Sequence, residues 1–270
     1  MLCSNLLVAQ RQKVVVHRPI PTMFGLPWID ICVEKPPQGF ATFPHSHWPS
    51  SRSVVLFDGG QYAILNHRMQ RILTLSTLEG TEQHSNNATA TSHRLLWVSE
   101  CYGAHRCMVY RLVADTLQYV RQISYQGNEH WFAYDWCVDE AAGRIYVYGG
   151  TMGQSLWIKA FDITRSLTGT HGEYTPADVL HTTEIHGVGV PQGSLVRNGK
   201  AYLLDGGTPG NTFLHVFDLA TGRCLLTMPL HSGNLEPEGL ALRGRWVYIS
   251  FYHPHTSEIN IVKYRLPQLR

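Results

Sequence analysis

The chain is short of charge. Asp, Glu, Lys and Arg make up 16% of it, and 22 basic residues nearly balance 20 acidic ones. No basic run interleaved with aromatics occurs, so the electrostatic footprint of a nucleic-acid binder is missing and no such partner is expected. No apolar run approaches the ~18 residues that a membrane-crossing helix needs, so no transmembrane span is expected. The six cysteines form no Cys-x-x-Cys, which removes the signature of a zinc ribbon or a thioredoxin-type site. There is no Gly-x-Ser-x-Gly elbow, no phosphate loop and no His-Glu-x-x-His. Long stretches with helical periodicity are also absent. What remains is a succession of short alternating segments separated by Gly, Asn, Asp and Pro, which reads as strands and turns.

Those segments repeat. Gln38-Gly39-Phe40-Ala41, Gln192-Gly193-Ser194-Leu195 and Glu238-Gly239-Leu240-Ala241 share one pattern at a strand start. The separations Asn87 to Trp97, Gln192 to Tyr202 and Glu238 to Tyr248 are identical. The second strand ends alike in Asp58-Gly59-Gly60, Tyr148-Gly149-Gly150 and Asp205-Gly206-Gly207. Five units begin near Gln38, Asn87, Tyr134, Gln192 and Glu238. A mean period of roughly 47 residues is in the range of four-stranded propeller blades. The fold class expected is all-β, a five-bladed β-propeller. A two-sheet sandwich is the alternative, but it gives no reason for the repeat.

The fifth unit has only three strands before Arg270, so a ring needs a strand from elsewhere. Lys13–His17 and Trp28–Val33 are both candidates for an N-terminal strand that closes the last blade and protects its edge. Residues 13–270 are therefore expected to form a single propeller domain, and the ring to be a monomer. Residues 1–12 read Met-Leu-Cys-Ser-Asn-Leu-Leu-Val-Ala-Gln-Arg-Gln. They suit the remnant of a secretory signal peptide, with export to the periplasm, cell surface or medium; a disordered or strand-paired tail is the other reading. Cys101 and Cys107 flank a hairpin turn and suit either a disulfide or two buried thiols.

In a propeller the first strand of each blade lines the channel. Aligning the units puts Gln38, Asn87, Asp135, Gln192 and Glu238 near one mouth. A ring of amide and carboxylate oxygens can hold a hard cation, Ca²⁺ being the one cofactor suggested, or hydrogen-bond sugar hydroxyls. Such side chains can equally cap one another and satisfy channel backbone groups. Glu236 and Glu238 flank Pro237 and point to one side of an extended segment. If the protein is an enzyme, Glu238 with Asp135 is the best acid/base pair. His84, three residues before Asn87, and Trp48, on a Pro-flanked insertion with His45 and His47, are candidate rim contacts for a ligand.

Taken together, Gln-Gly or Glu-Gly opening a blade, His84-x-x-Asn87 opening another and Glu236-Pro237-Glu238-Gly239 opening the last resemble a group of bacterial and phage five-bladed propellers. That group includes the helveticin J-like proteins and some phage receptor-binding platforms. The blade-three opening, Phe132-Ala133-Tyr134-Asp135-Trp136, lacks the Gln/Glu-Gly pair. The resemblance implies recognition of cell-surface glycans, with Gln38, Asn87, Gln192 and Glu238 at or under the site. The reading is an exported, non-catalytic propeller that binds a carbohydrate or a protein of the cell envelope. The alternatives are an enzyme acting on a sugar or lactone through channel carboxylates, and a scaffold with an inert channel.

Overall fold

The computed structural model describes residues 35–44, 51–81, 84–85, 87–100, 106–127, 133–150, 155–168, 171–206, 211–252 and 259–269. Five antiparallel blades follow one another along the chain. Blade one is β1 (Pro37–Thr42), β2 (Ser53–Phe57), β3 (Gln61–Leu65) and β4 (Ile72–Thr77). Blade two is β5 (Asn87–Ala90), β6 (Leu95–Glu100), β7 (Arg106–Val113) and β8 (Thr116–Tyr125). Blade three starts with β9 (Ala133–Asp139), β10 (Arg144–Gly150) and β11 (Leu156–Asp162). An insertion follows, holding the single-turn α1 (Thr164–Leu167) and β12 (His171–Tyr174), before the blade is completed by β13 (His181–Ile185). Blade four is β14 (Pro191–Arg197), β15 (Lys200–Asp205), β16 (Phe213–Asp218) and β17 (Cys224–Pro229). Blade five is β18 (Glu236–Arg243), β19 (Trp246–Tyr252) and β20 (Ile259–Arg265).

The first strands close a ring: β1 packs beside β5, β5 beside β9, β9 beside β14, β14 beside β18, and β18 beside β1. The protein is thus a five-bladed β-propeller, as the repeat predicts. The core is divided accordingly into five apolar clusters, one between each pair of neighbouring blades. Leu56 and Tyr62 of blade one meet Val98 and Tyr110 of blade two. Trp97 and Ile123 meet Trp136 and Phe161. Tyr148 and Ile158 meet Leu203 and Phe217. Leu204 and Val216 meet Leu240 and Ile249. Phe40 and Val55 meet Ala241 and Ile261. Alternation along each strand supplies both faces of every blade, which is why the central β6 is buried along almost its whole length while the outer β13 alternates between exposed and buried residues toward its end.

The five units open where the sequence places them: β1, β5, β9, β14 and β18 hold Gln38, Asn87, Tyr134, Gln192 and Glu238. One strand escapes the repeat. β12 leaves blade three and pairs in parallel with β8, giving blade two a fifth strand. Its Tyr174 is fully buried and packs on Phe161, with ring centroids 4.8 Å apart, so the insertion seals the outer seam between blades two and three. The predicted closing strand, at Lys13–His17 or Trp28–Val33, lies outside the described residues, as does the 1–12 segment. Cys107 is a free, fully buried thiol, and Cys101 lies outside the described residues. No helix among the described residues is long and apolar enough to cross a membrane.

Candidate functional site at the acidic end of the channel

The repeated Gln/Glu-Gly pairs turn out to be β-bulges. In blade one Pro37 faces Phe57 and Gly39 faces Leu56, which leaves Gln38 with no residue opposite. In blade five Pro237 faces Phe251 and Gly239 faces Ser250, and Glu238 is the extra residue. In blade four Pro191 faces Asp205 and Ser194 faces Leu203, so Gln192 and Gly193 together span one place. A bulge bends the strand and re-aims a side chain. The first strands of blades two and three, which lack the motif, run in unbroken register.

The glycines of the pairs set how closely the blades approach. A Cβ on Gly239 would lie 2.3 Å from the Phe40 nitrogen, and one on Gly193 would lie 2.7 Å from the Gly239 Cα. No side chain fits there, so blades four, five and one meet backbone to backbone at the axis.

At this end five polar side chains gather from blades one, four and five and from the connection into blade two. Gln192 donates from Nε2 to Glu236 Oε1 at 2.5 Å. His84 Nδ1 lies 2.7 Å from Asp58 Oδ1. Glu238 is 3% exposed and makes no hydrogen bond among the described residues. Burial works against its ionisation, and the carboxylates of Glu236 and Asp58 add to that, so Glu238 holds its proton well above the ordinary value of 4.5. A buried, protonated carboxyl is a hydrogen-bond donor as well as an acceptor, set among acceptor carboxylates. Gln38 is also buried, on its own bulge.

The other candidate residues are placed elsewhere. The residue facing Trp97 is Thr89, whereas those facing Tyr202 and Tyr248 are Leu195 and Ala241. Counting back, Asn87 is level with Gly193 and Gly239, one place deeper than Gln192 and Glu238. The equal separations along the sequence conceal this shift. Asn87 Nδ2 donates to the Trp136 carbonyl at 2.8 Å and to Ser194 Oγ at 2.9 Å, and Asn87 Oδ1 accepts from the Ser194 N–H at 3.0 Å. Both amide hydrogens are therefore taken up in tying blade two to blades three and four. Cys137 Sγ lies 2.8 Å from the same Ser194 hydroxyl; burial, despite hydrogen bonds from Ser194 and Asn87, pushes its thiol up to about 12.

Asp135 does not pair with Glu238. It is buried on blade three, where its charge raises the Tyr148, Cys107 and Cys137 groups, while the charges acting on Glu238 are those of Glu236 and Asp58. Trp48 lies outside the described residues. Its described neighbours in sequence, Pro44 and Ser51, stand at the opposite end of the channel, where β1 has finished and β2 begins. Among the described residues no three His, Cys, Asp or Glu side chains come close enough to hold a metal ion.

Asp58 was legible only as part of a turn, and the structure makes it a neighbour of Glu238. The signal was the repeated Asp-Gly-Gly: Asp205 ends the equivalent strand of blade four and is likewise drawn to a histidine. Asp205 Oδ2 lies 3.3 Å from His215 Nε2 and accepts from the Gly189 N–H, while Oδ1 accepts from Val190. Thr227 Oγ1 stands between His215 Nδ1, at 3.1 Å, and Cys224 Sγ, at 3.5 Å. Burial opposes ionisation of Cys224, but hydrogen bonds with His215 and Thr227 outweigh it and lower the thiol.

Fold and site together define a five-bladed propeller with an acidic, amide-bearing channel end. No protein-family model matches the chain, and no curated protein matches it significantly.

Proposed function

We propose that the protein is an exported binding propeller whose acidic channel end recognises a carbohydrate of the cell envelope. The observation that carries this reading is the gathering of Asp58, His84, Gln192, Glu236 and Glu238 at one end, with Glu238 buried and without a hydrogen-bond partner among the described residues. Sugar hydroxyls both donate and accept. They need acceptors such as Glu236 and Asp58 interleaved with donors such as the Gln192 amide and the Glu238 O–H. Gln192, Glu236 and Glu238 stand on bulged strands rather than on loops, which holds them in fixed geometry. The resemblance of the Gln/Glu-Gly openings to glycan-binding propellers points the same way.

A glycan array followed by titration calorimetry tests the reading. A neutral oligosaccharide should bind, and Gln192→Ala or Glu236→Gln should weaken it about tenfold, the loss expected for a buried polar contact. Absence of binding to every glycan and envelope fraction would count against it, and binding to an envelope protein alone would move the reading to a protein partner. Export is tested by mass spectrometry of the native N-terminus.

A second reading rests on one observation. Glu238 is buried close to Glu236, and burial raises its pKa well above 4.5; a carboxyl of raised pKa near a second carboxyl is the arrangement that general acid and base work on a glycosidic or lactone bond uses. Glu236 then takes the partner role assigned from sequence to Asp135. Glu238→Gln should abolish any turnover found by substrate screening; turnover that survives the substitution ends this reading.

A further inference from the structure

We propose that Cys224 is a nucleophilic thiol, activated by a row of Thr227, His215 and Asp205 on blade four, and that hydroperoxides oxidise it reversibly. Register sets up the row. Between β16 and β17, His215 faces Thr227 and Phe217 faces Cys224, while Leu225 has no residue opposite. On a regular strand Cys224 and Thr227 would point to opposite faces. The extra residue turns both to the face that carries His215. Cys224 begins β17, the outer strand of its blade, and is partly exposed, so a reagent reaches it from the rim of the ring and not through the channel.

Each member of the row meets the next. Asp205 Oδ2 lies 3.3 Å from His215 Nε2, His215 Nδ1 lies 3.1 Å from Thr227 Oγ1, and Thr227 Oγ1 lies 3.5 Å from Cys224 Sγ. The His215 ring is 6% exposed and packs between the Phe213 and Phe217 rings, with centroids 5.8 and 6.0 Å away, so its orientation is fixed. Asp205 is held in turn by the Gly189 and Val190 N–H groups. A nucleophile, a base within reach and a third group that orients the base are what turn a weak nucleophile into a strong one. The protons have one consistent placement. The Nε2–H donates to Asp205, which leaves Nδ1 to take a proton. The thiol passes its proton to Thr227 Oγ1 as the Thr227 hydroxyl passes its own to Nδ1. A thiolate results, with an imidazolium that Asp205 stabilises. Burial raises the Cys224 thiol, but hydrogen bonds with His215 and Thr227 outweigh it, in line with this placement. Other ionisable groups nearby are turned elsewhere. On the neighbouring β13, His181 meets the Leu219 carbonyl and Glu184 meets His186. On blade four, Asp218 accepts from the Ala220 and Thr221 N–H groups, and Arg223 is exposed.

The thiolate sulfur attacks one oxygen of the hydroperoxide. An S–O bond forms as the O–O bond breaks, the departing oxygen takes the imidazolium proton, and water or an alcohol leaves. Sulfur loses two electrons and the peroxide gains them. A small thiol then attacks the sulfenic sulfur, an S–S bond forms and water is released; a second thiol restores Cys224 by exchange. The other described cysteines, Cys107 and Cys137, are fully buried on blades two and three, so neither is placed to resolve the sulfenic acid. This site shares no residue with the acidic end.

Iodoacetamide alkylation of the native full chain from pH 5 to pH 10, read peptide by peptide by mass spectrometry, tests the proposal. Cys224 should react, with a pH midpoint below that of the same residue in the urea-unfolded chain. His215→Gln and Thr227→Val should each move the midpoint up and slow the reaction at pH 7 about fivefold. Thr227 is only partly buried, so Thr227→Val decides should His215→Gln fail to fold. Hydrogen peroxide followed by dimedone should leave an adduct on Cys224, and peroxide with glutathione a mixed disulfide that dithiothreitol removes; Cys224→Ser should give neither at that position. The proposal is overturned if native Cys224 does not react, if its midpoint equals that in urea, if a folded His215→Gln or Thr227→Val chain keeps the parent midpoint, or if peroxide leaves Cys224 without an adduct.

Discussion

The two ends of the channel belong to the same five blades and differ in charge balance: acids dominate one, and acids and arginines are matched at the other. Where the strands begin, Asp58, Glu236 and Glu238 crowd together, and burial, with the charges of Glu236 and Asp58, raises the Glu238 pKa well above 4.5. Where they finish, Arg197 and Arg243 stand beside Asp139 and Glu140 around a cavity, and each of those carboxylates accepts a backbone N–H. Between them, Asn87 ties blades two, three and four across the hub. A near-zero net charge thus conceals one end where acids gather without matching bases. The lesson is that charge balance over a whole chain says little about a propeller, because its ends are separate chemical environments fixed by strand direction.

The comparison can be broken most severely at Gly239. Its substitution by Ala puts a Cβ 2.3 Å from the Phe40 nitrogen, a backbone atom of the neighbouring blade. Blades five and one must part, at a cost on the order of 3 kcal/mol. Denaturant unfolding should show this loss, and a stability within about 0.5 kcal/mol of the parent would mean that the inner strands do not meet as described. Next in size is Asn87→Ala, which removes the hydrogen bonds to the Trp136 carbonyl and the Ser194 hydroxyl and leaves the Ser194 N–H buried without its Asn87 acceptor. About 2 to 4 kcal/mol should be lost. Retention of full stability would show that Asn87 is not a structural tie and would return it to the list of ligand contacts.

Glu238→Gln sharpens the comparison through pH. Glu238 carries its proton in the fold at pH values where the unfolded chain has released it, so it draws stability down as pH rises above about 4.5. Glutamine keeps the shape and has no proton to lose. The variant should melt higher than the parent at pH 8 and match it near pH 3, where both carry a neutral group. Equal melting curves at both pH values would place Glu238 in an ordinary solvated setting.

The smallest effect concerns the acid of blade four that does not join the cluster. Burial works against a charged His215, but its hydrogen bond with Asp205 outweighs this and raises its pKa above 6.5. Burial likewise opposes ionised Asp205, but hydrogen bonds from His215, Gly189 and Val190 outweigh it and lower its pKa below 3.8. The His215 contribution is complete below 6.5 and is lost as pH rises through the raised value; that of Asp205 is present above 3.8 and is lost as pH falls through the lowered one. His215→Gln should therefore cost about 1 to 2 kcal/mol near pH 5.5 and less near pH 9. A cost that does not change with pH would remove the ion pair from the account.

Much of the fold could be read from the sequence because the repeat acts at every level at once. Strand pattern, turn residues and the Gln/Glu-Gly pairs all recur, and the blades follow. Three features were hidden for physical reasons. β12 pairs in parallel with a blade that is not its own, and such a partner has no local signature. Asn87 matched Gln192 and Glu238 by distance along the chain, but bulges and turns trade residues. Only the register shows it one place deeper. Asp135 and Glu238 occupy aligned positions on blades that are not neighbours, and a linear alignment says nothing of distance across a ring. The true neighbour, Asp58, lies at the end of a second strand, a position read for its turn chemistry and not for its charge.

The protonation of Glu238 is the most direct test of the acidic end, since it follows from burial beside Glu236 and Asp58 and needs no ligand. Selective ¹³C labelling of glutamate, followed by NMR from pH 3 to pH 9, reads the Glu238 carboxyl, with Glu238→Gln assigning the signal. The account predicts a resonance that keeps its protonated position well past pH 4.5, where exposed glutamates have already moved. A Glu238 signal that titrates together with those glutamates would contradict it.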